Sequence, residues 1–311
     1  MGLYLLLAFL VASDAVLGSD ICPSPASISP CTCDDEGVNC MGDRSLAQIK
    51  NAFQANFKYG AVRSIWIQGT SLTSIPSDLF GKIKAQQFHL EMNQISSLDM
   101  RAFSASNKTI NSLSFFGNKL NTFDFEATNK FEKLGTLNLG RNLLESIPGG
   151  ALNSWSLNTL ILSENKISNI GMNTFSNLPG LMRLELSFNS LTTLGPMSFA
   201  MKSHSAGLQI NLSTNQISEV SASAFTGTSP LVLFLAQNQL KELKVDAFGN
   251  LITRIAQKGG GILLNGNPLT CRGCDYNWLV LNKQALFNHL PGFQCTDGRN
   301  LLSLTKANIG C

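Results

Sequence analysis

Apolar residues recur along most of the chain as a pair with one position between them, followed five positions later by a third. Ile65, Ile67 and Leu72 form the first such set, Phe88, Leu90 and Ile95 the second, and Leu113, Phe115 and Leu120 the third. The series runs on to Ile262, Leu264 and Leu269. Alternation over so few residues is strand period, with the paired residues pointing inward and the residue between them outward. Each set therefore predicts a short strand with one buried face. A second column follows at a fixed offset: Phe80, Phe103, Phe175, Phe199, Phe225 and Phe248, with Leu152 and Thr128 where a ring is missing. Aromatics repeated at the interval of the strands read as a core spine in which each ring packs on the next. In the unit that carries Thr128, Phe123, Phe125 and Phe131 crowd the segment and can supply the missing ring.

Between strand and spine stands an asparagine. Asn93, Asn118, Asn142, Asn165, Asn189, Asn215, Asn238 and Asn267 occupy equivalent places, with Thr70 in a first, imperfect copy. Their separations are 23, 25, 24, 23, 24, 26, 23 and 29 residues. The phrase L-x-x-L-x-L-x-x-N-x-L at about 20–29 residues resembles the leucine-rich repeat. That resemblance implies an α/β-type solenoid: a curved parallel sheet on the concave side, an irregular or short helical convex side, and a cap at each end. The asparagine falls where the chain leaves the sheet, and its amide can donate twice and accept twice to backbone groups that no ladder satisfies. Its role is structural. About eight to nine repeats are expected over 61–268. The last is longer, and Gly259, Gly260 and Gly261 ahead of its strand admit either close approach of a partner or a looser seam.

Cysteines fill in the ends. All eight lie outside the repeats, Cys22, Cys31, Cys33 and Cys40 before them and Cys271, Cys274, Cys295 and Cys311 after. A zinc site is a poor fit, because C-R-G-C lacks a second close pair and no histidine completes a set. Disulfides fit an extracellular solenoid whose terminal repeats must be covered, giving an amino-terminal cap over 19–60 and a carboxyl-terminal cap over 269–311. Three pairings per cap are open on the residues alone. Ahead of the first cap, Leu3 to Val11 form an apolar run followed by small residues, the pattern of a removed signal peptide over 1–18. About ten apolar residues are too few for a membrane span. A secreted, extracellular protein is expected, with no membrane partner. The net charge of +3, with 14% charged residues and no basic block, excludes the footprint of a nucleic-acid binder.

Candidate chemistry is sparse. The chain contains no zinc-peptidase, nucleophile-elbow or phosphate-loop motif. His89, His204 and His289 are too far apart in a linear solenoid to form one site. Asp34, Asp35 and Glu36 read as a solvated loop rather than a calcium site. A non-enzymatic protein without catalytic residues, metal or cofactor is expected, so function falls to the outward positions of the strands. At the central one the chain carries Trp66, His89, Ser114, Asn138, Ile161, Glu185, Asn211, Phe234 and Leu263. With Met92, Phe116 and Phe188 from neighbouring positions, the set Trp66, His89, Met92, Phe116, Ile161, Phe188 and Phe234 is the candidate partner-binding surface, since aromatic and methionine side chains anchor interfaces. Two glycosylation sequons begin at Asn107, in a loop, and at Asn211, on a concave strand where a glycan would obstruct half of that surface.

The cap C-P-S-P-A-S-I-S-P-C-T-C-D-D-E-G-V-N-C, the I-P-x-x-x-F spacer of Ile75, Pro76 and Phe80, and the cap N-P-L-T-C-R-G-C-D-Y-N-W-L carry a wider resemblance. Together they resemble the secreted crustacean leucine-rich-repeat proteins related to the non-catalytic subunit of Oplophorus luciferin monooxygenase. Known cysteine caps of this repeat class imply crossed bridges: Cys22 with Cys33, Cys31 with Cys40, Cys271 with Cys295, and Cys274 with Cys311. The family further implies a protein partner, a small luciferase catalytic subunit that holds the light-emitting oxidation, with the repeat chain as stabiliser or carrier. The alternative class is extracellular recognition in immunity or matrix, with a glycan, microbial or matrix ligand.

Overall fold

The computed structural model describes residues 21–58 and 61–311; the signal-peptide segment 1–18 lies outside them. The chain is a leucine-rich-repeat solenoid. Eleven strands make one sheet whose spatial order is the chain order, from Thr32–Cys33 at one end to Gly261–Leu263 at the other. Only the first pairing is antiparallel, a hairpin between Thr32–Cys33 and Gly37–Asn39. Gly37–Asn39 then pairs in parallel with Val62–Trp66, and every later strand pairs in parallel with the one before it. The inward pairs Ile65/Ile67, Phe88/Leu90, Leu113/Phe115 and their successors to Ile262/Leu264 are buried.

The convex side is irregular. Three two-stranded ribbons, 3₁₀ turns over Met100–Ser106 and Glu126–Lys130, and simple turns connect the strands. The spine runs through it in two stretches. Phe53, Phe80 and Phe103 follow at 5.2 and 5.3 Å, with Phe131 beyond at 6.5 Å in the unit that lacks its ring; Phe175, Phe199 and Phe225 stack at 5.6 and 5.2 Å. Leu152, buried, separates the two.

The long last repeat has its own explanation. Val245–Gln257 is a 13-residue α-helix that buries Ala247, Phe248, Leu251, Ile252 and Ile255, an i, i+3/i+4 stripe that replaces the usual turns. Arg254 and Lys258 tie it back by donating to the carbonyls of Thr228 and Ser229. Of the glycines after it, Gly260 and Gly261 admit the close approach of this chain's own backbone. A β-carbon on Gly260 would collide with the Leu231 carbonyl, and the cap's own His289 Nδ1 lies 2.6 Å from the Gly260 carbonyl. The cap then closes the sheet edge, where Leu264 N–H donates to Pro291 O at 3.1 Å.

The bridges are Cys22–Cys33 and Cys31–Cys40 in one cap, Cys271–Cys295 and Cys274–Cys311 in the other. In the first cap Leu46–Phe53 is an α-helix closed by a reciprocal capping box of Ser45 and Gln48 and buries Ile49, Ala52 and Phe53 under the first repeat.

Candidate functional site: the concave face

The frame of the face is set by the asparagines. Each donates its Nδ2 to the carbonyl three residues before it and to a carbonyl of the preceding repeat, as Asn238 does to Leu235 and Leu212 at 3.1 and 3.0 Å. Each Oδ1 accepts a backbone N–H of the preceding repeat; Asn118 takes Ile95, Asn142 Leu120 and Asn238 Ile217. Thr70 opens the ladder as a shorter rung: its hydroxyl donates to Asn93 Oδ1 at 2.7 Å and accepts Leu72 N–H. With no earlier repeat to bridge, a hydroxyl suffices there.

Immediately before every rung the backbone is left-handed. Met92, Arg141, Glu164, Phe188, Thr214 and Gln237 have φ of 54–56°, and Gly69, Gly117 and Gly266 complete the column. This turn lifts the side chain off the sheet. It is why Met92 and Phe188 are 52% and 57% exposed. Sequence reasoning missed the feature, because only the three glycines signal it and six of nine positions carry side chains that ordinarily avoid this region.

Strand register places the outward residues in ordered columns. Trp66 pairs with His89, His89 with Ser114, and the column continues through Asn138, Ile161, Glu185, Asn211 and Phe234 to Leu263. Two residues further on lies a parallel column of Gln68, Glu91, Phe116, Gly140, Ser163, Ser187, Ser213 and Ala236. From Gly140 onward it is small, which leaves that half of the face shallow.

The seven candidate residues do not form one exposed surface, and this corrects the sequence expectation. Met92 and Phe188 are exposed; Trp66, His89, Phe116, Ile161 and Phe234 are half-buried, shielded by neighbours one strand away. The structure brings only some of them together. A β-carbon on Gly140 would stand 3.2 Å from Asn138 Oδ1 and from Phe116 Cδ2 and 3.4 Å from Ile161 Cγ2, so Phe116 and Ile161 border that glycine together with the Asn138 amide. Met92 Sδ lies over Gly117 in the same way, 2.6 Å from where its β-carbon would be. Met92, Phe116 and Ile161 thus give an apolar series across four repeats, bordering two glycines, with the Asn138 amide beside the second. Phe188 and Phe234 lie beyond it.

On the amino-terminal side the patch meets a polar cluster. The Trp66 and His89 rings stack with centroids 5.8 Å apart and planes 9° from parallel. Glu91 accepts from Gln68 Nε2 at 2.6 Å and lies 3.4 Å from His89 Nδ1, while His89 Nε2 lies 3.3 Å from Gln87 Oε1. Burial pushes the Glu91 carboxyl up, but the bonds from His89 and Gln68, with the Ser114 hydroxyl beside it and its own backbone, outweigh that and hold it below the usual glutamate value. Ser114 Oγ is buried and bonds nothing else. On the carboxyl-terminal side Glu185 links Arg183 and Asn211, both at 2.9 Å.

The remaining sequence candidates fall elsewhere. Asn107 ends the 3₁₀ turn on the convex side, partly exposed. Asn211 lies in the concave sheet with its amide bonded to Glu185 and its Oδ1 to Ser213 N–H. His204 bonds Ser205 and Ser229 away from the other histidines. Asp34 Oδ1 closes a turn on Glu36 N–H, and Glu36 pairs with Arg63 at 2.7 Å. Among the described residues no cluster of potential metal ligands occurs. Among the large exposed side chains that escaped sequence reasoning, Trp155, 84% exposed, sits in a loop outside the strand pattern. A cleft of about 500 Å³ between the helices Val245–Gln257 and Asn277–Leu286, lined in part by Trp278, Ala256 and Leu286, escaped it too.

A leucine rich repeat family model matches residues 155–201. The chain is 28% identical to the Oplophorus-luciferin 2-monooxygenase non-catalytic subunit of Oplophorus gracilirostris, over 92% of this chain and 86% of that protein. It is 28% identical to mouse keratocan over 72% of its own length and 26% identical to mouse lumican over 64%. Of those two it spans less than two thirds, 61% and 63%.

Proposed function

For a leucine-rich-repeat protein similar along nearly its whole length to a subunit described as non-catalytic, we propose the role of an extracellular, non-enzymatic scaffold that binds a protein partner on its concave face. The observation that carries this is the Met92–Phe116–Ile161 patch. Isolated apolar residues on a surface need no explanation, but three that border glycines on successive repeats with polar side chains among and around them suit an interface core with a rim. The partner is a separate protein, and by analogy with the relative's name it is the catalytic subunit of a luciferase-like complex, which this chain stabilises or carries.

Secretion is part of the same reading. Four disulfides in two caps suit an oxidising compartment, and no helix among the described residues is long and apolar enough to cross a membrane. The test is purification of the full chain from its secreting tissue beside a Phe116→Asp/Ile161→Asp variant. The proposal expects one smaller protein at equal stoichiometry with the unaltered chain and its loss with the variant. Capture unaffected by the substitutions, or oxidation of a luciferin by the purified chain alone, defeats it.

A further inference from the structure

Glu91 stands at the centre of the amino-terminal half of the concave face. Trp66, His89 and Ser114 line one side of it in register, Gln68 and Phe116 flank it in its own column, and Met92 follows it in the chain. Neighbouring strands are only about 5 Å apart and adjacent columns about 7 Å, so these six are the residues surrounding the carboxylate on the sheet. That carboxylate is only 17% exposed, and among the described residues no lysine or arginine pairs with it. A largely desolvated charge is costly to keep without a permanent counter-ion, and the His89 ring 3.4 Å away pairs with it only when protonated. Its ionised form is held by Gln68 Nε2 at 2.6 Å and His89 Nδ1 at 3.4 Å, while the Ser114 hydroxyl beneath it is buried without another partner.

We infer that Glu91 receives an arginine side chain of the bound protein. The surroundings select that cation. Its guanidinium is planar, weakly hydrated, stacks on aromatic faces and forms paired bonds to a carboxylate, whereas an ammonium is a strongly hydrated point charge. The Trp66 and Phe116 rings and the Met92 thioether supply the apolar walls, and Glu91 supplies the charge. Arginine and tryptophan are also the side chains around which interface energy concentrates. The inference rests on the concave-face reading above and adds the chemistry of the contact.

The experiment titrates the full chain with acetyl-Gly-Arg-Gly-amide and with the same peptide carrying citrulline, a neutral molecule of the same shape, using ligand-observed NMR at millimolar concentration. Saturable binding of the arginine peptide is expected, at least ten-fold tighter than citrulline and reduced about ten-fold by Glu91→Gln in a chain that remains folded at the temperature of the titration. Equal binding of the two peptides, or arginine binding undiminished by Glu91→Gln, overturns the inference. Should that variant not fold, Trp66→Leu must abolish the preference for arginine over citrulline, and retention of the preference overturns the inference as well. Loss of the preference in the unaltered chain while partner capture through Phe116 and Ile161 persists refutes this subsite alone. Arginine selectivity in a chain whose capture ignores those residues supports the subsite and refutes the wider reading.

Discussion

Phe116 and Ile161 belong to repeats two strands apart, yet both side chains, with Asn138 Oδ1, reach within 3.4 Å of where a β-carbon on Gly140 would lie. The glycine leaves open the space that these side chains border. Gly140→Ala should therefore fold and melt within a few degrees of the parent, because its neighbours, Asn138 Oδ1, Phe116 Cδ2 and Ile161 Cγ2, are side-chain rather than backbone atoms and need give by only a few tenths of an ångström, while partner affinity drops several-fold as they spread apart. Parallel melting and binding curves check it; a loss of stability equal to the loss of binding would make the glycine merely structural.

The asparagine rungs are the complementary case, carrying stability and no contact. Asn238 is 1% exposed and makes bonds to Ile217, Leu212 and Leu235 that its truncation leaves unmade. Asn238→Ala should lose about 1–3 kcal/mol in urea unfolding. In a solenoid that loss is local, so hydrogen exchange should rise in the adjoining repeats and stay unchanged near Trp66.

A third expectation concerns the left-handed column. A side chain there costs about 1–2 kcal/mol relative to glycine, partly offset by the greater freedom of glycine in the unfolded chain. Glu164→Gly should raise stability by up to about 1 kcal/mol, whereas Gly117→Val, which combines a φ of 70° with the Met92 sulfur overhead, should lower it. Thermal melts of the two variants suffice, and a shift in the same direction for both contradicts the assignment.

Acid should weaken the amino-terminal repeats. Glu91 is held below the ordinary glutamate value of 4.5 in the folded chain, so its contribution to stability is complete above that value and is lost as pH falls through the lower, folded-state one. Unfolding followed from pH 6 downward should show a decline below about 4.5 that Glu91→Gln reduces. A variant with the same acid profile as the parent would remove Glu91 from this account.

Glycosylation separates the two faces. Asn107 at the convex turn is expected to carry a glycan when the chain is expressed through a secretory pathway, and Asn211, whose amide is bonded to Glu185 within the concave sheet, to remain unmodified. Peptide mapping decides, and full occupancy of Asn211 would confine any interface to the repeats from Trp66 to Ile161.

Much of this was legible in the sequence for a physical reason. A solenoid repeats one environment, so a residue's offset from Asn93 or Asn189 states which column it joins, and the register of Trp66, His89 and Ser114 follows from counting. What the offset leaves out depends on neighbours across strands. Whether Trp66 is exposed is decided by His89 stacking beside it, and whether Phe116 is isolated is decided by the absence of a side chain on Gly140. The left-handed turn was hidden because methionine, arginine, glutamate and phenylalanine occupy it. The helix Val245–Gln257 announced itself only as a long interval between Asn238 and Asn267, although its apolar stripe follows helical spacing.

The central claim, that a protein partner sits on the concave face, is tested most directly by photocrosslinking. A crosslinking amino acid is placed at position 161 in one chain and, for the opposite case, at exposed position 155 in another, and each is incubated with secretion from the native tissue. The account predicts one discrete adduct from position 161, suppressed by Phe116→Asp, and none from position 155. Adducts from position 155 alone, or the same adducts from both positions, would contradict it.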